Sequence, residues 1–146
     1  MIKTFSGDDQ WLSNFSKLEA PLIHGGLKYS TVEHFYVAMK TLNLRDRKTI
    51  ASCKYVSDAK ILGRDLTLRP NWDEQKERVM LAALRWKFSK YNPTLRQKLI
   101  DTGTQKLQEG NYWKDKYWGV YLVDGEGKNR LGILLMQVRD EIINGA

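Results

Sequence analysis

Residues 71–103 carry two helices written almost wholly in local chemistry, and they constrain the fold more than any other feature. Asn71 or Asp73 stands in capping position before 72–89, where Val79, Met80, Ala83, Leu84 and Trp86 fall on one side. In "YNPTLRQKLIDTG", Asn92 occupies the N-cap position, Pro93 the first helical position, and Gly103 follows the last turn. The same period recurs in 31–42 (Val32, Phe35, Tyr36, Met39) and in 130–143 (Leu131, Leu134, Leu135, Val138, Ile142). Shorter helices are predicted over about 46–53 and in "SDAKILGRD", with Ser57 as N-cap and Gly63 near the end. Strand signals are weaker: "MIKTF", "APLIHGGLKY" and "WGVYLV", with Gly25-Gly26 and Asp124-Gly125 as turns. The expectation is a mainly α chain with two or three short β-strands. Strands and helices do not alternate, which argues against a doubly wound parallel sheet.

The chain has 146 residues, of which 42% are hydrophobic, enough for one domain over 1–146 with its own core. There is no repeat, no low-complexity segment and no apolar run of membrane-spanning length. The opening "MIKTFSGDDQW" lacks the apolar stretch of a signal peptide, so the expected location is cytoplasmic. A single cysteine, Cys53, excludes an internal disulfide and reads as a structural thiol. The net charge of +7 favours anionic partners, or equally reflects Lys and Arg that solvate helix faces.

The stretch "YSTVEHFYVAMK" places Glu33 and His34 at a helix start. Ser30-x-x-Glu33 fits a capping box, in which the carboxylate serves the backbone. The competing reading is a catalytic carboxylate kept ionised by the helix N-terminus. His34 lacks the HExxH spacing, and the other histidine, His24, is expected in a loop, so no metal set is expected and His34 is a structural or lining residue. "GEGKNRLG" feeds the last helix: it is either a backbone phosphate cradle or a plain turn. "GNYWKDKYWG" sets Asp115 among Tyr and Trp, either as a paired buried acid or as part of a site. Two carboxylates in aromatic settings suit the cleavage of a glycosidic bond, whose transition state puts positive charge on the sugar.

The motifs "WLSNF", "YSTVEHFYVAMK", "AKILGRD", "NWDEQKERVMLAALRWKF", "DKYWG" and "GKNRLGILLMQVR" follow one another over nearly the whole chain. In this order they resemble the NADAR superfamily, the YbiA-like N-glycosidases. The resemblance implies a compact, single-domain helical fold and hydrolysis of N-glycosidic bonds to ribose without a metal or organic cofactor. The implied substrate is a small-molecule ribosyl phosphate, a phosphoribosylamino-pyrimidine intermediate of riboflavin synthesis, or an ADP-ribose-type substrate such as ADP-ribosylated guanine in DNA. It implies catalytic roles for Glu33 and Asp115, and the helix N-terminal position of Glu33 favours it as the water-side carboxylate. It also implies substrate binding by Trp72, Asn14, His34, Tyr36, Arg64, Trp118, Lys128 and Asn129, with Arg64 or Lys128 on phosphate.

Three features depart from the family pattern: a short N-terminal extension, the loop "VYLVDGE" after "WG", and "AMK" where "AQK" is commoner. They bear most on which substrate branch applies. A reading from another class is a non-catalytic module that binds ADP-ribose or NAD, which the basic charge also fits. No membrane partner is expected, and the sequence does not set the oligomeric state.

Overall fold

The computed structural model describes residues 1–145. They gather into two compact units: Asn14–Asn92, and Met1–Ser13 with the chain from Pro93 onward. Among the described residues, no helix is long and apolar enough to cross a membrane.

Asn14–Asn92 opens with an antiparallel hairpin, β1 (Lys17–His24) and β2 (Leu27–Thr31). His24, expected in a loop, is the last residue of β1. Gly25 and Gly26 both take positive φ in the two-residue turn, a geometry that matches the twist of the strands and suits residues without Cβ. Strand β2 runs straight into α1 (Val32–Met39), with Thr31 ending the strand and capping the helix. Every residue of α1 except Glu33 is buried, so this is a central helix and not the one-sided helix its spacing predicts. It also stops earlier than the expected 42. The Arg47 guanidinium donates to the carbonyls of Ala38 and Thr41, and the Arg69 N–H to that of Lys40, satisfying groups that a longer helix would use itself.

Helix α2 (Leu44–Ser52) is capped by the Asn43 side chain, which accepts from the Asp46 N–H. Helix α3 (Val56–Gly63) begins after Tyr55, with no side-chain cap, so Ser57 lies inside the helix and not before it. Gly63 is required by packing: a Cβ there would lie 2.6 Å from Val37 Cγ1, so α1 and α3 meet at this point. Helix α4 (Trp72–Lys87) starts at Asn71, which holds a left-handed conformation and makes no side-chain cap; neither expected cap is used in that way. The buried stripe of α4 runs Trp72, Met80, Ala83, Leu84 and then Lys87.

Asn92 is buried just before Pro93. Its Oδ1 accepts from the Ala20 N–H at 2.6 Å and its Nδ2 donates to the Trp86 carbonyl at 3.1 Å, tying β1 to the end of α4.

In the other unit, α5 (Pro93–Asp101) packs on α6 (Arg130–Asn144) through Leu95 and Leu99 on one and Leu131, Leu134, Leu135 and Val138 on the other. Arg139 Nη1 joins them to the following loop, donating to Thr102 Oγ1 and the Gln105 carbonyl. "MIKTF" yields only a bridge, Ile2 to Leu107, and "WGVYLV" shrinks to β4 (Val120–Tyr121). β4 pairs in parallel with β3 (Gly110–Asn111), a strand too short to carry any alternation in sequence. The fold is mainly α with a few short strands, as expected.

Candidate active site

Thr31, and not Ser30, closes the start of α1. Its Oγ1 accepts from the His34 N–H at 3.1 Å and lies 2.7 Å from His34 Nδ1. The other ring nitrogen, Nε2, lies 3.0 Å from the Cys53 carbonyl. A carbonyl only accepts, so Nε2 carries the hydrogen, Nδ1 accepts, and the Thr31 hydroxyl donates to it. Burial pushes His34 below its usual pKa, against the opposing pull of the Cys53 carbonyl, which keeps this neutral tautomer in place. Both ring nitrogens of His34 are thereby committed to the scaffold.

This arrangement displaces the capping box. Glu33 is the second helical residue, not the third, and its N–H donates to the Asn14 carbonyl at 3.0 Å. Thr31 and Asn14 thus serve the His34 and Glu33 amides, and the Ser30–Glu33 box is not the geometry that opens α1. Glu33 stays half-buried at the positive end of α1. Asn14 also points its amide at Met80 Sδ, 3.5 Å away, and its Oδ1 is buried without a hydrogen-bond partner.

Further along α1, Tyr36 packs against Trp72 with ring centroids 5.3 Å apart and planes tilted by 48°. Trp72 is the first residue of α4, and both rings are buried. On the Tyr36 ring lies Lys40, its Nζ 5.5 Å from the centroid. Burial lowers the Lys40 pKa; the Glu33 charge raises it and the Lys60 charge lowers it further. Lys60, on α3, lies 5.3 Å above the Phe15 ring. Glu33, Tyr36, Trp72, Lys40 and Lys60 thus form one cluster of a carboxylate, an aromatic wall and two ammonium groups. Arg64 caps the end of α3 four residues beyond Lys60 and is exposed.

Sequence reasoning did not single out Lys40 and Lys60. "AMK" ended a helix motif, and Lys60 looked like any solvated helix lysine. Their signal was the glycine of "AKILGR", which marks where α3 can touch another helix. The unit also carries the whole net charge: Asn14–Asn92 holds fifteen Lys and Arg against eight Asp and Glu, the rest of the chain nine against nine.

The remaining expected residues belong to the other unit. Asp115 Oδ1 accepts from the N–H groups of Tyr117 (3.1 Å) and Trp118 (2.9 Å), while Asn111 bonds both the N–H and the carbonyl of Asp115. Asp115 therefore orders the 111–118 loop, and its Oδ2 takes part in neither of those carboxylate bonds. Trp118 is half-buried and packs edge-on against Tyr117 at 4.9 Å. Lys128 is exposed, its ammonium 5.5 Å from the centroid of the Tyr117 ring.

Asn129 is buried and clamps the chain before β3: its Oδ1 accepts from the Glu109 N–H and its Nδ2 donates to the Leu107 carbonyl, both at 2.9 Å. The backbone N–H groups of Lys128, Asn129, Arg130 and Leu131 donate to the carbonyls of Lys116, Gly119, Tyr117 and Trp118. The "GEGKNRLG" segment is thus a docked turn, with those four donors already in use. A phosphate cradle there is corrected by this ladder.

The NADAR domain model matches residues 3–143. The chain is 38% identical to the N-glycosidase YbiA of Escherichia coli K12 over 97% of its length and 88% of that protein. It is 33% identical to a riboflavin biosynthesis protein of Vibrio vulnificus over 80% of its length, which is 32% of that longer protein. The NMR structure of E. coli YbiA superposes with a TM-score of 0.84 at 37% identity, covering 99% of this chain and 88% of that one. With the domain matched almost from end to end and the fold shared at this level of identity, the chain belongs to the NADAR domain family.

Proposed function

We propose that the protein is an N-glycosidase that hydrolyses the bond between ribose C1 and a base nitrogen, with Glu33 as the carboxylate facing the reacting centre. The observation that carries this reading is the place of Glu33: half-buried in the first turn of α1, three residues before Tyr36 of the Tyr36–Trp72 wall, with its charge acting on Lys40.

As the C1–N bond lengthens, its electrons go to the base nitrogen and positive charge grows on the sugar. The Glu33 carboxylate stabilises that charge and takes a proton from the water whose oxygen bonds to C1. The departing nitrogen receives a proton, so ribose leaves with a hydroxyl and the base with an N–H. Trp72 and Tyr36 hold the planar base. Asn14, whose Oδ1 has no protein donor, is the acceptor offered to a ribose hydroxyl. His34 acts as a prop for this helix end, and Asp115 orders its own loop. Arg64 contributes positive charge for a phosphate.

The substrate is a small-molecule ribosyl compound, as the relatives' names imply. Within that class we place first a phosphoribosylamino-pyrimidine, supported by the riboflavin-related relative; ADP-ribosylated guanine shares the same ribosyl bond.

Glu33→Gln keeps the shape and removes the charge. It is expected to lose about a hundredfold or more in kcat on a ribosylaminopyrimidine phosphate, with an unchanged unfolding midpoint. Near-normal turnover would remove Glu33 from the chemistry. A wild-type protein that binds ADP-ribose tightly but releases no base from either substrate would be a binding module.

A further inference from the structure

Where α1 and α3 touch, at Val37 and Gly63, two lysines emerge one turn from the contact: Lys40, three residues after Val37, and Lys60, three before Gly63. We infer that Lys40 and Lys60 are the donors of a phosphoryl subsite that holds a phosphate borne by the ribose whose C1 bond is broken. This rests on the N-glycosidase reading and adds to it the group that the site recognises beyond the sugar.

Each ammonium lies over one aromatic face, Tyr36 for Lys40 and Phe15 for Lys60. The ring steadies the side chain and occupies one side of the charge, leaving the other N–H groups to an incoming oxygen. Among the described residues, neither lysine nor Arg64 forms an ion pair. The two charges nevertheless interact, since Lys60 disfavours the charged form of Lys40. Lys40 is half-buried and Lys60 exposed, and like charges held this near each other are relieved by an anion between them. Glu33, the nearby acid of opposite sign, is reserved for the sugar in this mechanism.

Spacing also fits. Glu33 and Lys40 are seven residues apart, two turns along the same side of α1 or ~10 Å of axial rise, which separates the reacting carbon from the phosphate. A tetrahedral phosphate takes donors from several directions, which two ammoniums and the Arg64 fork one turn further along α3 can supply. The other candidate for this role, the backbone before α6, has its donors bonded to the 116–119 carbonyls.

The test uses the full chain and its Lys60→Met, Lys40→Met and Lys60→Arg variants. Each is assayed on a ribosylaminopyrimidine 5-phosphate and on the dephosphorylated ribosyl compound. Lys60→Met is expected to lose about 10- to 100-fold in kcat/KM on the phosphorylated substrate, through KM, the scale of a charged hydrogen bond. Its activity on the dephosphorylated compound should stay within about twofold, by the same reasoning. Lys40→Met should shift the same phosphate dependence, and Lys60→Arg should restore most of it. Equal losses on both substrates would overturn the subsite.

A second readout needs no turnover: calorimetric titration with inorganic phosphate, ribose 5-phosphate and ADP-ribose. Weaker binding to Lys60→Met supports the subsite even if the wild type cleaves nothing, in which case the glycosidase reading alone falls. Equal binding to wild type and variant, or none to wild type, ends the proposal. The wild-type preference between ribose 5-phosphate and ADP-ribose tells a monoester from a diphosphate.

Discussion

The hydroxyl of Thr31 and the imidazole of His34 are locked in a two-way exchange. The oxygen accepts the His34 N–H at 3.1 Å, and the ring nitrogen Nδ1, 2.7 Å away, accepts the hydroxyl proton. A capping box would have the third helical side chain accept the backbone N–H of the N-cap; here the imidazole accepts the hydroxyl of the N-cap instead. This makes His34, and not Glu33, the side chain that answers the N-cap of α1.

Removing that exchange should be costly, and removing the neighbouring serine should not. Thr31→Val strips the cap and leaves a buried ring nitrogen without a donor, for an expected loss of roughly 2–3 kcal/mol. Ser30→Ala should stay within about 0.5 kcal/mol of wild type. Urea unfolding of the two variants checks this. The reverse order of stabilities would restore Ser30 as the cap.

Two buried bases give stability a sign with pH. Burial lowers Lys87 to about 7, and it lowers His34 below its ordinary value. In both cases the unfolded chain binds more protons than the native one, so stability rises with pH. For His34 it is lost as pH falls below about 6.5, its unfolded value. For Lys87 it grows from about 7 towards the unfolded value near 10.5. Between pH 7 and 9.5, wild type should therefore gain on Lys87→Met by about 1 kcal/mol per pH unit. Denaturant midpoints of both proteins across that range decide it, and a constant difference would mean that Lys87 does not titrate there.

Asn129 separates a structural role from a ribose-binding one. Its φ of 51° is one that Gly adopts freely, and its amide bonds Leu107 and Glu109. Asn129→Gly keeps the backbone and loses both bonds, with an expected cost of about 2 kcal/mol. Asn129→Ala should cost about 1 kcal/mol more, because a Cβ is strained at positive φ. If both variants kept full stability and lost only substrate affinity, the residue would belong to the site.

Helices α4, α5 and α6 were legible because their information is local. Pro93 presets a first turn, and Leu131, Leu134, Leu135 and Val138 repeat with the helical period. The Gly25-Gly26 hairpin was legible for the same reason. Strands β3 and β4 were not, since two residues carry no alternation and their pairing joins chain positions ten apart. Nor was the stripe of α4 read to its end, because a periodic pattern passes over a buried lysine such as Lys87.

The sequence by itself determined which segments coil and where most of them start, through side chains acting on their own few neighbours. It also placed Glu33 at a helix end beside aromatic residues. Only the tertiary structure decided which groups serve the start of α1. That choice depends on the carbonyl of Asn14, nineteen residues earlier, and on the Cys53 carbonyl that turns the His34 ring. The same holds for Lys40 and Lys60, which share a field because Gly63 lets α3 reach Val37. Hydrogen bonds and charges act through space, and positions twenty residues apart meet only when packing brings them together.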